Sequence, residues 1–188
     1  MSKLLRSAAL VAGLGIAFGA SAAGNGTINI TGRITSASCT VTVNGSTGTT
    51  AVVLPTVQTT DLAAGATGFT AVNFAITGCS AGTDTPAITQ VRPYFEQGPT
   101  TDLTTGYLSN KTGSTYAANV EVMLSSTAST AGKLDLSKGP GAQGVTAVTL
   151  PAGSSVANFT YYAAYIANGG TAGAGLVSTS VQYTLDYL

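Results

Sequence analysis

The fold is decided by the end of the sequence, Val181-Gln182-Tyr183-Thr184-Leu185-Asp186-Tyr187-Leu188. Its odd-numbered positions are apolar or aromatic and its even-numbered positions are mostly polar, which is typical of a β-strand with one buried face. The alternation continues to Leu188, so the chain should stop inside a strand, and such a strand must be held in place. The sequence therefore predicts a sheet protein whose last strand is tied to the rest of the fold.

The same period of two recurs in four further runs: Cys39, Val41 and Val43; Val72, Phe74 and Ile76; Val120, Val122 and Leu124; and Phe159, Tyr161 and Tyr165. Gly-, Asn- and Ser-rich segments of the kind found in turns separate these runs, and no sustained period of 3.6 residues follows the N-terminal segment. Short strands in this arrangement predict an all-β, antiparallel sandwich. The pattern is weakest between Ser125 and Gly144, where Leu134 and Leu136 are the only large apolar residues.

The first 22 residues have the pattern of a secretion signal. Lys3 and Arg6 precede an apolar run over 8–18, and Ala20-Ser21-Ala22 supplies the small residues of a cleavage site, with cutting after Ala22 or Ala23. The apolar run is shorter than the about 20 residues needed to span a bilayer. The sequence thus predicts an exported protein, and the mature chain would carry a net charge of −2 because both basic residues of the signal are removed.

Export decides how the two cysteines are interpreted. Cys39 and Cys79 are the only cysteines of the chain and both would reach an oxidising compartment, where a disulfide is expected. Two thiols in a chain without histidine make a poor zinc site. Closing the loop between the two cysteines should stabilise the fold by roughly 4 kcal/mol.

The composition argues against most catalytic and nucleic-acid-binding functions. Only 7% of residues are charged, against roughly 25% in an average soluble domain, and the Lys and Arg residues are scattered rather than clustered. A nucleophilic Ser or Thr needs a neighbouring base, and the chain has no histidine to provide it. The seven acidic residues form no recognisable motif. We therefore expect a protein that is not an enzyme, has no catalytic, metal-binding or cofactor-binding residues, and does not bind nucleic acid.

The segment that follows the signal, residues 23–36, alternates like a strand but has no obvious partner. Five of its residues share one face: Gly26, Ile28, Ile30, Gly32 and Ile34. From the pattern alone, this segment is either the first strand of the protein's own sandwich or a strand that pairs elsewhere.

Several of these features occur together in one protein family. They are the signal peptide, the alternating extension, Cys39 shortly after it, and Cys79 after the apolar strand Val72–Ile76. A glycine, Gly175, also stands fourteenth from the end, and a tyrosine is the penultimate residue. With this combination and spacing, the chain resembles the type 1 fimbrial subunits assembled by the chaperone–usher route, over its whole mature length.

The resemblance implies an incomplete immunoglobulin-like antiparallel β-sandwich, the pilin fold, which lacks its last strand and is completed by donor-strand complementation. The pilin domain would comprise residues 37–188 and the donor strand would be the extension 23–36. The implied partners are other copies of the subunit or related pilins in a head-to-tail polymer, a periplasmic chaperone and an outer-membrane usher. The implied location is a fimbrium on the cell surface, where the filament serves in cell adhesion.

The resemblance also assigns roles to individual residues. Gly26, Ile28, Ile30, Gly32 and Ile34 would enter the groove of the next subunit. The strand that borders the groove and is held by the chaperone would involve Gly175, Val181, Tyr183, Leu185, Tyr187 and Leu188, with Gly175 allowing a tight turn before the strand. Cys39 and Cys79 would tie the first strand of the domain to its neighbour.

Two other functions agree with the same sequence. One is a secreted single-domain carbohydrate-binding module, in which Tyr94, Tyr107 and Tyr116 would stack on sugars. The other is a minor or adapter pilin rather than a major subunit. A free donor strand distinguishes both pilin readings from the module, because a monomeric module does not need one.

Overall fold

The computed structural model describes residues 28–80, 87–150 and 156–188. The predicted signal peptide and Gly26 lie outside these residues. The chain divides into two compact units, 1–33 and 34–188. In the first unit, residues 28–33 have no regular secondary structure and are exposed. All the strands and helical turns described below belong to the second unit.

The second unit consists of β-strands joined by loops, with two short 3₁₀ turns at Asp61–Ala64 and Thr130–Gly132. In chain order the strands are β1 (Ser38–Val43), β2 (Thr67–Ser80), β3 (Gln90–Phe95), β4 (Leu108–Ser109), β5 (Val120–Ser125), β6 (Val148–Thr149), β7 (Val156–Ala167) and β8 (Tyr183–Tyr187). Within the described residues, no helix has the length and apolarity to span a lipid bilayer.

The strands form two antiparallel sheets. One sheet has five strands in the order β1-β2-β7-β5-β4, and the other has three in the order β6-β3-β8. The long pair β2 and β7 is the spine of the larger sheet, and its register places Phe74 opposite Phe159. In the smaller sheet β8 pairs with β3, with Leu185 opposite Pro93.

The core is built from the apolar residues that the alternation selects. Phe74 on β2 is its aromatic centre, because the rings of Phe95, Tyr161 and Tyr183 meet it edge to face at 5.0–6.0 Å between centroids. Such edge-to-face contacts add to the stabilisation from burial alone. These aromatic residues come from both sheets, so the two layers share one core.

The region between β5 and β6 contributes more to this core than its weak pattern indicates. Leu134 and Leu136 are completely buried. A short antiparallel contact holds their segment against the end of β5, with the N–H of Leu134 donating to the carbonyl of Leu124 at 2.9 Å. Every residue of β5 is buried, including Glu121 and Met123, which lie between the alternating Val120, Val122 and Leu124.

Strand β3 was not predicted, because its sequence combines a proline with polar residues. Pro93 lacks an N–H, yet β6 pairs with β3 only at Gln90 and Val91, so no strand needs a donor at Pro93 on that edge. Further along, the buried side chain of Gln143 replaces the missing strand. It accepts a hydrogen bond from the N–H of Phe95 at 3.1 Å and donates one to the carbonyl of Phe95 at 2.6 Å.

Candidate functional site

Strand β8 is an edge strand. Among the described residues, it pairs with β3 on one side and with no strand on the other. The pairing extends to the last residue, since Leu188 and Gln90 exchange two backbone hydrogen bonds at 2.9 and 3.0 Å. Val181 lies two residues before β8 and lines a small cavity of about 200 Å³ beside Pro99. The final strand is therefore shorter than the alternation predicts, but its end is firmly held.

The two faces of β8 have different chemistry. On one face, Asp186 forms an ion pair with Arg92 of β3 at 2.7 Å. On the other, Tyr183, Leu185 and Tyr187 pack against the core but are only half-buried. Burial raises the pKa of the Tyr187 hydroxyl, and a hydrogen bond with the backbone of Cys39 acts in the opposite direction. Tyr187 and Cys39 also pack against the same core, so the end of β8 and the start of β1 both border it.

Strand β1 is the corresponding edge of the larger sheet. Its residues Cys39 and Val41 are half-buried and pack against the same core. A disulfide joins Cys39 to Cys79 across β1 and β2, with the two Cα atoms 4.1 Å apart. The disulfide predicted from the two cysteines is thus present, and it fixes the start of the edge strand that faces β8.

The extended segment 51–57 packs on the same core through Leu54, and sequence reasoning missed it. No backbone–backbone hydrogen bond is made by this segment within the described residues. Its burial alternates, with Val52, Leu54 and Val57 half-buried and Val53 84% exposed. This alternation was the available signal, but the adjacent Val53 and the proline at position 55 obscure it.

We call the region bordered by β1, segment 51–57 and β8 the open flank. Half-buried apolar side chains from all three pack on the core without being covered: Val41, Leu54, Tyr183, Leu185 and Tyr187. Segment 51–57 and the outer edge of β8 also leave backbone groups unpaired within the described residues. Apolar side chains flanked by unpaired backbone form a surface that can accept one additional strand.

The predicted donor residues are almost fully accessible. The exposed fractions of Ile28, Ile30 and Ile34 are 87%, 90% and 98%. An ideal Cβ placed on Gly32 would meet nothing within 4 Å. Large apolar side chains with this exposure are unusual on the surface of a soluble protein and are typical of a binding segment.

Gly175 lies eight residues before β8 begins and has a φ of 155°. A Cβ at this position would lie 2.5 Å from the backbone nitrogen of Ala117 and from the carbonyl carbon of Tyr116. The next residue, Leu176, forms an isolated bridge with Tyr116. Glycine is therefore required at 175 because two backbone segments approach closely there.

The remaining candidates are the possible metal ligands and the three tyrosines. In the ranges that the structure covers, no three His, Cys, Asp or Glu side chains come together as potential metal ligands. Tyr94 lies on β3 and Tyr107 lies beneath the ammonium group of Lys133, 4.3 Å from the ring centroid. Tyr116 lies in the loop that precedes β5, so the three tyrosines belong to different segments of the chain.

The chain is similar in sequence to known fimbrial proteins. Residues 54–188 match the family model of type-1 fimbrial protein A. The chain is 36% identical over 170 residues to the F17 fimbrial protein of Escherichia coli, covering 87% of each protein. It is 35% identical to the major fimbrial subunit SMF-1 of Stenotrophomonas maltophilia, covering 88% of this chain and 94% of the relative.

Solved structures give the same fold. A subunit of a chaperone–usher pilus matches with a TM-score of 0.59 at 15% identity, covering 88% of this chain and 97% of that one. The P pilus rod subunit PapA matches with a TM-score of 0.60 at 15% identity, covering 80% and 99%. These likenesses confirm the predicted pilin fold.

Proposed function

The chain belongs to the type-1 fimbrial protein family, and from this premise we propose that its open flank accepts residues 23–36 of another subunit as the missing strand. As a family member, the protein is a structural subunit of a chaperone–usher fimbria. It passes through the periplasm to the cell surface and polymerises with other pilins with the help of a chaperone and an usher. The proposal concerns the residues that perform this polymerisation.

The observation that carries the proposal is the match between two incomplete surfaces. The open flank presents half-buried apolar side chains beside unpaired backbone. The extension presents Ile28, Ile30 and Ile34, almost fully exposed and at alternating positions except for Gly32. Burying each isoleucine would contribute about 1.5–3 kcal/mol, and the new backbone hydrogen bonds would fix the direction of the strand.

The geometry of this exchange leads to a filament. Each subunit would donate its own extension and accept the extension of another, so the two contact surfaces are different. Contacts between different surfaces do not close on themselves and generate open chains. Before assembly, a chaperone would cover the open flank, because an exposed strand edge invites aggregation.

We assign residues 1–22 to the signal peptide, 23–36 to the donor strand and 37–188 to the pilin domain. The first strand of the second unit begins at Ser38, close to the proposed start of the domain. We propose a role as a major shaft subunit without enzymatic activity. Support comes from the relative named as a major fimbrial subunit, which is similar over 88% of this chain.

A peptide-exchange experiment tests the donor strand. The subunit is purified with its chaperone and incubated with a peptide of residues 23–36, and loss of the chaperone is followed by native gel electrophoresis. The peptide should displace the chaperone. A peptide carrying Ile30→Asp should do so at least about tenfold more slowly, because a carboxylate would enter an apolar site.

The matched control is a peptide carrying Thr31→Asp, which adds the same charge on the opposite face of the strand. This control peptide should exchange at nearly the rate of the natural sequence. Equal exchange by all three peptides, or exchange by none, would refute the proposed donor strand.

A further inference from the structure

Charged residues are scarce on both surfaces of the strand exchange, and we infer that Glu96 of the accepting subunit forms an ion pair with Arg33 of the donated strand. The inference rests on the proposed donor strand and adds what fixes its direction and register. Arg33 is the only charged residue of the extension 23–36. A single charge on the donated strand therefore marks one position along the accepting strand.

Glu96 follows β3 and lies beside the approach to β8. Its backbone N–H donates to the carbonyl of Gln182 at 2.9 Å, so it continues the pairing of β3 with β8. Its side chain is half-buried and lines the cavity of about 200 Å³ to which Val181 also belongs. Among the residues that the structure describes, the carboxylate of Glu96 has no hydrogen bond or ion pair. A half-buried carboxylate without a partner favours the approach of a cation.

The acidic residue of β8 itself, Asp186, already has a partner. Its Oδ2 accepts a hydrogen bond from Nε of Arg92 at 2.8 Å and lies 2.7 Å from Nη2 of the same guanidinium group. A second arginine beside this pair would be repelled by Arg92. Arg92 and Glu96 are four residues apart and so share the outer face of the smaller sheet. Glu96 is therefore the carboxylate that remains available to Arg33 on this face.

The sizes of the inward-facing residues indicate how the donated strand runs along β8. They are Ile28, Ile30, Gly32 and Ile34 on the extension, and Val181, Tyr183, Leu185 and Tyr187 on the accepting edge. An antiparallel alignment of the two sets places Gly32 opposite Tyr183, whose ring lies 5.0 Å from that of Phe74. A parallel alignment would leave an isoleucine opposite each tyrosine. The antiparallel direction is favoured because glycine leaves room for the aromatic ring in the core.

The antiparallel alignment also brings the two charges together. Arg33 then lies directly opposite Gln182, and Glu96 lies on the other side of Gln182. Two strand spacings, about 10 Å, separate the backbones of Arg33 and Glu96, and their long side chains can meet across the outer face. The parallel alignment would place Arg33 opposite Asp186, beside Arg92. Charge complementarity thus selects the same direction as residue size, as expected where charges fix register at an interface.

Charge reversal tests the ion pair with the purified chaperone–subunit complex and peptides of residues 23–36. Arg33→Glu in the peptide, or Glu96→Arg in the subunit, should slow displacement of the chaperone by about fivefold. Combining the two changes should restore the natural rate to within about twofold. Exchange that neither reversal slows, or a combination no faster than the single changes, would overturn the ion pair and leave the donor strand standing. Failure of the natural peptide to exchange would refute both.

Asp61→Arg is the matched control for net charge, because it makes the same change of charge elsewhere on the subunit. Its neighbour Leu62 packs with Ala117 and Val120 in a separate cluster. This variant should not restore exchange of the Arg33→Glu peptide, and restoration would overturn the inference. If Glu96→Arg does not fold, Glu96→Gln decides. On that subunit the natural and Arg33→Glu peptides should exchange at nearly equal rates, and a remaining fivefold difference would overturn the pair.

Disulfide formation tests the direction independently of charge. A subunit carrying Gln182→Cys is incubated with peptides carrying either Arg33→Cys or Asn29→Cys, and the products are separated by non-reducing electrophoresis. Gln182 is exposed, so this change should not disturb the fold. The antiparallel alignment predicts a disulfide with the Arg33→Cys peptide. A disulfide with the Asn29→Cys peptide instead would show the parallel direction and overturn the pairing of Arg33 with Glu96.

Discussion

Glu121 shows how strongly one residue can link this fold to pH. It lies on β5 with only 6% of its surface exposed. Burial raises the pKa of its carboxyl group, and the negative charge of Asp102 acts in the same direction. In contrast, backbone N–H donors from Thr104 and Thr105 lower the pKa of Asp102. The folded protein therefore holds a proton on Glu121 more tightly than the unfolded chain does.

Replacing Glu121 by Gln should consequently stabilise the subunit at neutral pH, because no buried charge then has to form. A raised pKa contributes stability at low pH that is lost as the pH rises above the ordinary value of 4.5 and through the folded-state pKa. Glutamine is neutral at every pH and keeps an acceptor for Thr105, so this loss should disappear. Urea unfolding of the subunit in purified fimbriae, followed by circular dichroism between pH 4 and pH 8, measures both effects. A variant that keeps the natural pH dependence would show that Glu121 is not its source.

A second prediction at this scale concerns Gly175. Gly175→Val should destabilise the subunit by about 1–3 kcal/mol, because the new Cβ would collide with the backbone at Tyr116 and Ala117. Gly139→Val is the control, since a Cβ at Gly139 meets nothing within 4 Å. The periplasmic yield of each variant and its urea midpoint in fimbriae provide the measurement. Equal behaviour of the two variants would contradict the close approach.

The burial of a single side chain could be predicted only where the local alternation of apolar and polar residues reflects it. The alternation on β2 correctly selects Phe74 and Ile76 as core residues. Leu134 and Leu136 lie in a polar stretch without a period, and their burial depends on a contact with β5 that no local pattern encodes.

At the scale of elements, the five alternating runs after the extension correspond to β1, β2, β5, β7 and β8. Strand β3 could not be found in this way, because the rule against proline in a strand applies only where a neighbour needs the N–H. Strands β4 and β6 have two residues each and are defined by their partners rather than by their own sequences.

The disulfide provides a prediction about the edge formed by β1. Cys39→Ser should lower the stability of the subunit by about 2–5 kcal/mol and reduce its periplasmic yield, because the loop of 40 residues is no longer closed. The double variant with Cys79→Ser should lose about the same amount, since both lack the same bond. Yields are compared by immunoblotting, and thiol labelling of the natural protein should detect no reactive cysteine. Labelling of two thiols would contradict the prediction.

At the scale of the whole molecule, the pilin fold could be predicted because the extension, the cysteines and the C-terminal strand occur together at a known spacing. The open flank could be predicted only in part. Strand β8 was assigned to it from the sequence, whereas segment 51–57 was not, because an extended segment without a partner carries little local signal.

The held C-terminus leads to a prediction for the complete subunit. A short tag added after Leu188 should reduce capture by the chaperone, because it moves the terminal carboxylate and extends the strand beyond its pairing with Gln90. The same tag inserted between Gly48 and Thr49, in an exposed turn, should be tolerated. Periplasmic pull-down with the chaperone, followed by immunoblotting, compares the two. Full capture of the C-terminally tagged protein would exclude the end of β8 from recognition.

The pairing of β3 with β8 also sets an order of events during export. Val91 and Tyr187 are register partners although about 96 residues separate them. A chain that crosses the inner membrane from its N-terminus delivers β3 long before β8 emerges, so the smaller sheet cannot close until β8 has crossed. Contacts this distant in sequence also form slowly. The subunit therefore enters the periplasm with its smaller sheet incomplete, and the arrival of β8 completes that sheet.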